Sequence, residues 1–411
     1  MLPILLNGLS AKAFGYNPFL KQSILNNTDN ENILVLIQLT GGNDGLNTLI
    51  PLDQYDNYFN ARTNVAIPQK KILSLNGIDK CGFHPALSGM RDLFNEGKLS
   101  ILQGVGYKNP TLSHFRSMDI WMSGSKADQV LNTGWIGRYL NYKHKGYPVN
   151  YPNENFPDPL AIQFGTATSF IFQGGQSPLA INISDPDSEI NLSPGFADPA
   201  LESTSGKELK LVRFIGQQAQ SYGHVIKTAS NKVKEQSSYP NTAFATQLKT
   251  TARLIKGGLK TRIYLVNLDG FDNHAQQVEP TDTSLGAHAT LLKTVSDGIK
   301  AFQNDLEYLG ISENVIGMTF SEFGRRIISN DSLGTDHGTA APLFIFGSKV
   351  KGGIIGKNPE IPVKATNDDN IAMQIEFREI YSSILNDWFA LPSSEISKLN
   401  FEGTKPLSLI K

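Results

Sequence analysis

The chain has 411 residues, 40% apolar and 18% charged; this is ordinary globular composition and excludes a disordered or fibrous chain. The net charge of −1 leaves no basic footprint for nucleic acid, and no uninterrupted apolar run is long enough for a membrane-spanning helix. The length suits two to three domains or one large α/β domain, and the single cysteine, Cys81, has no partner for an intramolecular disulfide.

Residues 1–30 read as an N-terminal arm. The stretch MLPILLNGLSAKAF is apolar, then small and polar, with Ala11-Lys12-Ala13 in an A-x-A arrangement. It is similar to the end of a signal peptide with its cleavage site, which leads to the expectation of an exported protein, periplasmic or extracellular. An arm that packs on the domain is the other reading.

Residues 31–411 read as one α/β domain. The run ILVLIQL at 33–39 is continuous, β-branched and ends at Gly41-Gly42, as suits a strand buried on both faces. Residues 85–97 place Leu87, Met90, Leu93 and Phe94 on one helical face, and a strand at 99–103 follows. Short helices are expected at 113–123 and 133–142. The stretch 145–198, rich in Gly, Pro, Asn, Ser and Asp, holds only short strand candidates such as Leu160–Phe164 and reads as an irregular insertion or cap over the sheet, the whole insertion or cap reaching to about 230. Helical patterns return at 205–232 and 241–257, a strand at 262–268, a long helix at 285–309, strands at 314–320 and 342–347, and a last helix at 374–389. This alternation predicts a large, mostly parallel sheet sandwiched between helices.

Ligands in open α/β sheets sit beyond the carboxyl ends of strands. Three predicted strands end in polar turns: Thr40–Gly45 with Asp44, Asp269–His274 with Asp272 and His274, and Ser321–Arg326 with Glu322. A fourth turn, Thr335–Thr339 with Asp336 and His337, leads into a strand. Asx and glycine residues are routine in turns, so one such turn means little. Four carboxylates gathered at one sheet edge repel unless cations neutralise them, and carboxylate with imidazole is the ligand set of Zn²⁺, Mn²⁺ or a Zn/Mg pair.

The segments IQLTGGNDGLNTLIP, FHPALSGM, LSHFRSMDIWMSG, DGFDNH, SEFGRR and TDHGTAAPLFIFG, in this order, resemble the DUF1501 family of mostly exported bacterial proteins. That family is similar in fold to the alkaline phosphatase superfamily, which includes sulfatases. The resemblance implies a metal ligand at the end of the first strand, here Asp44, and a nucleophile opening the next major helix, here Ser113. It implies Asp272 and His274 on one metal together with a late histidine, here His337. The second metal would then take Asp44, Glu322 and Asp336; in the alternative map, Asp336-His337 is itself the second metal's Asp-His pair. Phe323 stands where the superfamily has a histidine, which sets one metal against two.

Ser113 is also a natural helix N-cap, with His114 beside it as a substrate or ligand-orienting contact. Arg325 suits either a tetrahedral oxyanion or a salt bridge that balances the site acids. His84 reads as a structural residue, and His144, His224 and His288 as surface residues. The expected function is an exported hydrolase of phosphate or sulfate esters, of a small molecule or a glycan, that uses one or two divalent metals, zinc first and magnesium or manganese next. The rival, from another class, is a degenerate member that binds carbohydrate or a partner through the 145–198 insertion.

Overall fold

The computed structural model describes residues 4–6, 9–11, 31–149, 151–165, 167–175, 177–183 and 222–411. Ile4–Leu6 and Leu9–Ala11 form an antiparallel pair within a separate unit, Met1–Glu31. The rest of the expected arm, including Lys12 and Ala13, lies outside the described residues, as do residues 184–221 of the expected cap.

The main body is built on a nine-stranded sheet. In chain order its strands are β1 (Ile33–Thr40), β2 (Leu99–Gly106), β3 (Ala161–Phe164), β4 (Ala180–Ile183), β5 (Ile263–Asp269), β6 (Val315–Phe320), β7 (Ala341–Phe346), β8 (Gly353–Ile355) and β9 (Ile375–Glu376). Across the sheet they run β8-β2-β7-β6-β1-β5-β3-β4, with β9 also on β2. β7 is antiparallel to both neighbours, and every other pairing is parallel. The amino end of β7 therefore lies at the same edge as the carboxyl ends of β1, β2, β5 and β6. This direction brings the turn at 335–339 to the edge where the other three acidic turns lie.

β1 sits at the centre and is buried along almost its whole length. Leu34 and Leu36 face one core, where α2 (His114–Ser123), α3 (Trp135–Lys143) and α6 (Phe377–Ser383) pack. Ile33, Val35, Ile37 and Leu39 face the other, against α1 (Ser88–Asn95), α4 (Ala243–Lys256) and α5 (Ala287–Tyr308). Each fully buried aliphatic side chain of this kind contributes about 1.5–3 kcal/mol, so the continuous apolar run places β1 between two helical layers.

Two findings add to the sequence reading. Ala161–Phe164 and Ala180–Ile183 do not cover the sheet; they extend it in parallel register beyond β5. Leu49–Pro51, Leu73–Leu75 and Ile78–Phe83 form a small antiparallel sheet that the periodicity does not announce. No helix among the described residues is long and apolar enough to cross a membrane.

Candidate metal centre

The turn after β1 is tight because its glycines have no side chain. Gly41 has φ +123° and Gly42 φ +82°; a Cβ on Gly41 would lie 2.2 Å from the Asp272 nitrogen, and one on Gly42 2.5 Å from the Phe323 ring. These close approaches draw the turns after β1, β5 and β6 together. Backbone bonds tie them further: Phe271 N–H to the Thr40 carbonyl (3.0 Å) and Thr335 N–H to the Asn273 carbonyl (3.1 Å). An antiparallel bridge joins Arg325 to His337.

The turns and the start of α2 deliver His114, Asp272, His274 and His337 to one point, with one donor atom from each within 4.8 Å of the others. Asp272 Oδ1 lies 3.1 Å from His274 Nε2, 3.4 Å from His114 Nε2 and 3.5 Å from His337 Nε2. His274 Nε2 and His337 Nε2 are 2.8 Å apart.

The outer nitrogens of the three rings fix what the inner ones present. His114 Nδ1 meets Glu322 Oε1 at 2.8 Å, His274 Nδ1 meets Asp336 Oδ1 at 3.0 Å, and His337 Nδ1 meets the Leu112 carbonyl at 2.7 Å. Carboxylates and carbonyls only accept, so each Nδ1 carries a proton, and a ring without a second proton turns its Nε2 lone pair inward. His114 Nε2 is buried with no hydrogen-bond partner among the described residues. Three lone pairs and a carboxylate oxygen that face one another repel unless a cation lies among them. A tetrahedral ion with bonds of about 2.0–2.1 Å has ligand edges of about 3.3 Å, close to the 3.1–3.5 Å around Asp272 Oδ1 and longer than the 2.8 Å between His274 Nε2 and His337 Nε2. The donor set fits a divalent metal, with the outer carboxylates orienting the imidazoles.

The local charges agree. Burial raises the Asp272 carboxyl, but the hydrogen bond and charge of Arg325 and the nearby imidazoles outweigh it and hold the group below its ordinary value. Asp336 is likewise held low, since His274 and Asn330 outweigh its burial. Burial lowers His337 below its ordinary value, opposed by its hydrogen bond to the Leu112 carbonyl and reinforced by the charge of Arg325 and the neighbouring imidazoles. All three shifts favour the unprotonated forms, in which Asp272 and His337 can ligate and Asp336 can accept from His274 Nδ1.

The structure does not assemble the second expected set. Asp44 is buried, N-caps the short helix Gly45–Thr48, and gives both oxygens to Arg62 Nη1 (2.9 and 2.8 Å) and one also to Gln277 Nε2 (2.7 Å). Burial would raise its carboxyl, but Arg62, His288 and Gln277 together hold it low. Its charge is answered by Arg62, which has no local signal in the sequence. Glu322 bonds the Gly41 N–H (2.8 Å) and His114, so it orients a ring and does not join the four-donor group. Asp336 does the same for His274. The Phe323 ring packs on His114 and His337, with centroids 4.9 and 4.6 Å away. His114 enters the group itself, beyond the substrate or orienting contact expected of it.

Arg325 is buried and its guanidinium is spent inside the protein, on the carbonyls of Gly41, Gly42, Phe271 and Thr335 and on Asp272 Oδ1. It is not free to take an oxyanion. Arg326, which sequence reading passed over, instead lines an open depression of about 400 Å³ with Leu112, His274, Asp336 and His337. Ser113 is the exposed N-cap of α2, and its hydroxyl makes no capping bond. His288 is buried, not at the surface, and its Nε2 meets Asn43 Oδ1 at 2.9 Å.

The family model described as "Protein of unknown function (DUF1501)" matches residues 31–388. A search of curated proteins finds no match. Among solved structures the chain is similar to a protein in the alkaline phosphatase superfamily from Vibrio parahaemolyticus, 10% identical with a TM-score of 0.38, over 87% of this chain and 66% of that one. It is similar to Ps i-CgsB, solved with k-i-k-neocarrahexaose, at 11% identity and TM-score 0.39, over 91% of this chain and 75% of that one. It is also similar to BT1596, a 2-O GAG sulfatase, at 11% and 0.38, over 92% and 75%. The chain thus spans 66% to 75% of the length of these proteins.

Proposed function

The chain belongs to the DUF1501 family, and from the site it carries we propose that it is a hydrolase of phosphate or sulfate esters that works with one divalent metal, zinc first. The observation that carries this reading is the convergence of three imidazoles, each with its proton held outward on Nδ1, on the oxygen of Asp272. His114, Asp272, His274 and His337 would hold the ion. With an ester oxygen as a further ligand beyond these four, the metal would supply Lewis acidity to that oxygen and lower the pKa of a nearby nucleophile.

The chain's own residues do the rest. Ser113 is the candidate nucleophile, exposed at the first turn of α2, where free N–H groups favour an anionic group. Arg326, beside His337 in the open depression, supplies the positive charge for a sulfuryl or phosphoryl group. Phe115, 88% exposed and one residue past His114, offers a flat apolar face to a sugar ring, which favours a glycan ester. We also place the protein outside the cytoplasm, on the strength of the A-x-A segment at 11–13.

The test is metal analysis of the purified chain with a panel of aryl and sugar phosphates and sulfates. One ion per chain is expected, with turnover that stops on chelation and returns with Zn²⁺. Asp272→Ala and His337→Ala should lower turnover by roughly 10³-fold, since Lewis-acid stabilisation supplies several kcal/mol. A metal-free protein whose turnover ignores both substitutions would sink the proposal. The rival reading, a degenerate binding protein, has Phe323 in its favour, because its ring packs against His114 and His337 at the position where the superfamily resemblance puts a further ligand. Glycan binding that survives chelation, without turnover, would support that rival.

A further inference from the structure

We infer that Arg325 is the positioning residue of the cation site: it sets Asp272 and the ligand-bearing turns in place before any ion is bound. This rests on the reading of His114, Asp272, His274 and His337 as ligands.

Nε donates to the Gly42 carbonyl (2.7 Å), Nη1 to the Thr335 carbonyl (2.7 Å), and Nη2 to the carbonyls of Gly41 and Phe271 (3.1 Å) and to Asp272 Oδ1 (2.7 Å). One side chain thus links the turns after β1 and β5 to the turn before β7. A salt bridge that merely balanced the site acids would need the Asp272 contact alone; the four carbonyl contacts have no part in charge balance. They fix the backbone on which Asp272 and, two residues past Thr335, His337 are mounted. Arg325 itself forms an isolated antiparallel bridge with His337.

The Asp272 side chain is 49% exposed while that of Arg325 is 1% exposed. A half-exposed carboxylate would otherwise swing toward water. Held from behind by a buried fork, Oδ1 stays opposite the three Nε2 atoms. A planar guanidinium with several fixed N–H directions can do this, whereas a lysine ammonium reaches only one or two of these acceptors at once. Partners of this outer kind typically change metal affinity by about 10–100-fold when removed.

The experiment compares wild type, Arg325→Met, Arg325→Lys and Arg138→Met, all as full chains, with Co²⁺ alone as the probe. Affinity is read by competition with a chromophoric chelator, geometry by the visible absorption of bound Co²⁺, and stability by thermal unfolding of the metal-free protein. Arg138 is the control, a largely buried arginine on the carbonyls of Ser123, Thr133 and Leu399. Arg325→Met should bind Co²⁺ about 10–100-fold more weakly with an altered spectrum, and Arg325→Lys should recover only part of the loss. Arg138→Met should lose stability but keep wild-type affinity and spectrum. Folded Arg325 variants that match wild type in both would overturn the inference, as would failure of both to fold while Arg138→Met folds, because the role would then be structural alone. If wild type itself binds no Co²⁺, the cation-site reading fails first, and this inference falls with it.

Discussion

Asp44 and Arg62 form a buried ion pair, with side chains 2% and 0% exposed. Arg62 also donates to the backbone carbonyls of Ile327 (2.9 Å) and Arg326 (2.5 Å), so it supports the chain just after Arg325 from below. Asp44→Ala would strand a buried guanidinium, and the expected loss is about 3–5 kcal/mol of unfolding free energy. Urea denaturation measures it. The folded fraction of Asp44→Ala should still bind one ion, which separates a structural acid from a ligand. His114, Asp272, His274 and His337 were legible as chemistry-bearing residues because three of them sit in turns next to apolar strands and the fourth at a helix start. The resemblance put Asp272, His274 and His337 on one metal; the parts of His114 and Asp44 were not legible. Whether Asp44 or His114 joins the centre depends on Arg62 and Glu322, residues 18 and 208 positions away from them.

At the scale of elements, β1, β5 and β6 announce themselves because strands covered on both faces need unbroken apolar runs. β3 and β4 are only four residues each, set in Gly- and Pro-rich chain, so sequence does not tell sheet from cap. The direction of β7 leaves no trace in periodicity, since alternation is the same whichever way a strand runs. The seam where α5 meets the segment around residue 84 carries a consequence for acid stability. His288 and His84 are buried there, their rings 6.2 Å apart. Burial pushes His288 down from 6.5 to about 4 and His84 to about 3. Both folded values lie below the unfolded one, so below about pH 6.5 the unfolded chain binds protons that the native chain refuses. The stability these neutral rings allow is fully present above that pH and is lost as pH falls through 4 and 3. A denaturation series across pH 7 to 4 should show this slope, and His288→Gln should be less stable at neutral pH but flatter toward acid. An unchanged slope would rule out this seam as its source.

For the molecule as a whole, an ion that binds only the native arrangement stabilises it by mass action. At a free concentration of 100 times the dissociation constant the gain is about 2.7 kcal/mol. Added Zn²⁺ should therefore raise the thermal midpoint in a concentration-dependent way, and His337→Ala should abolish that response. A midpoint indifferent to Zn²⁺ in the wild type would count against the centre.

The four converging donors are spread from residue 114 to residue 337. During synthesis the earliest imidazole leaves the ribosome more than two hundred codons before the last, and β7 must follow before the edge is complete. A nascent chain that stops short of His337 has no mouth to close on a cation. On the proposed reading, the four-donor site is complete only once His337 has been made, so the ion is loaded after most of the chain has been synthesised.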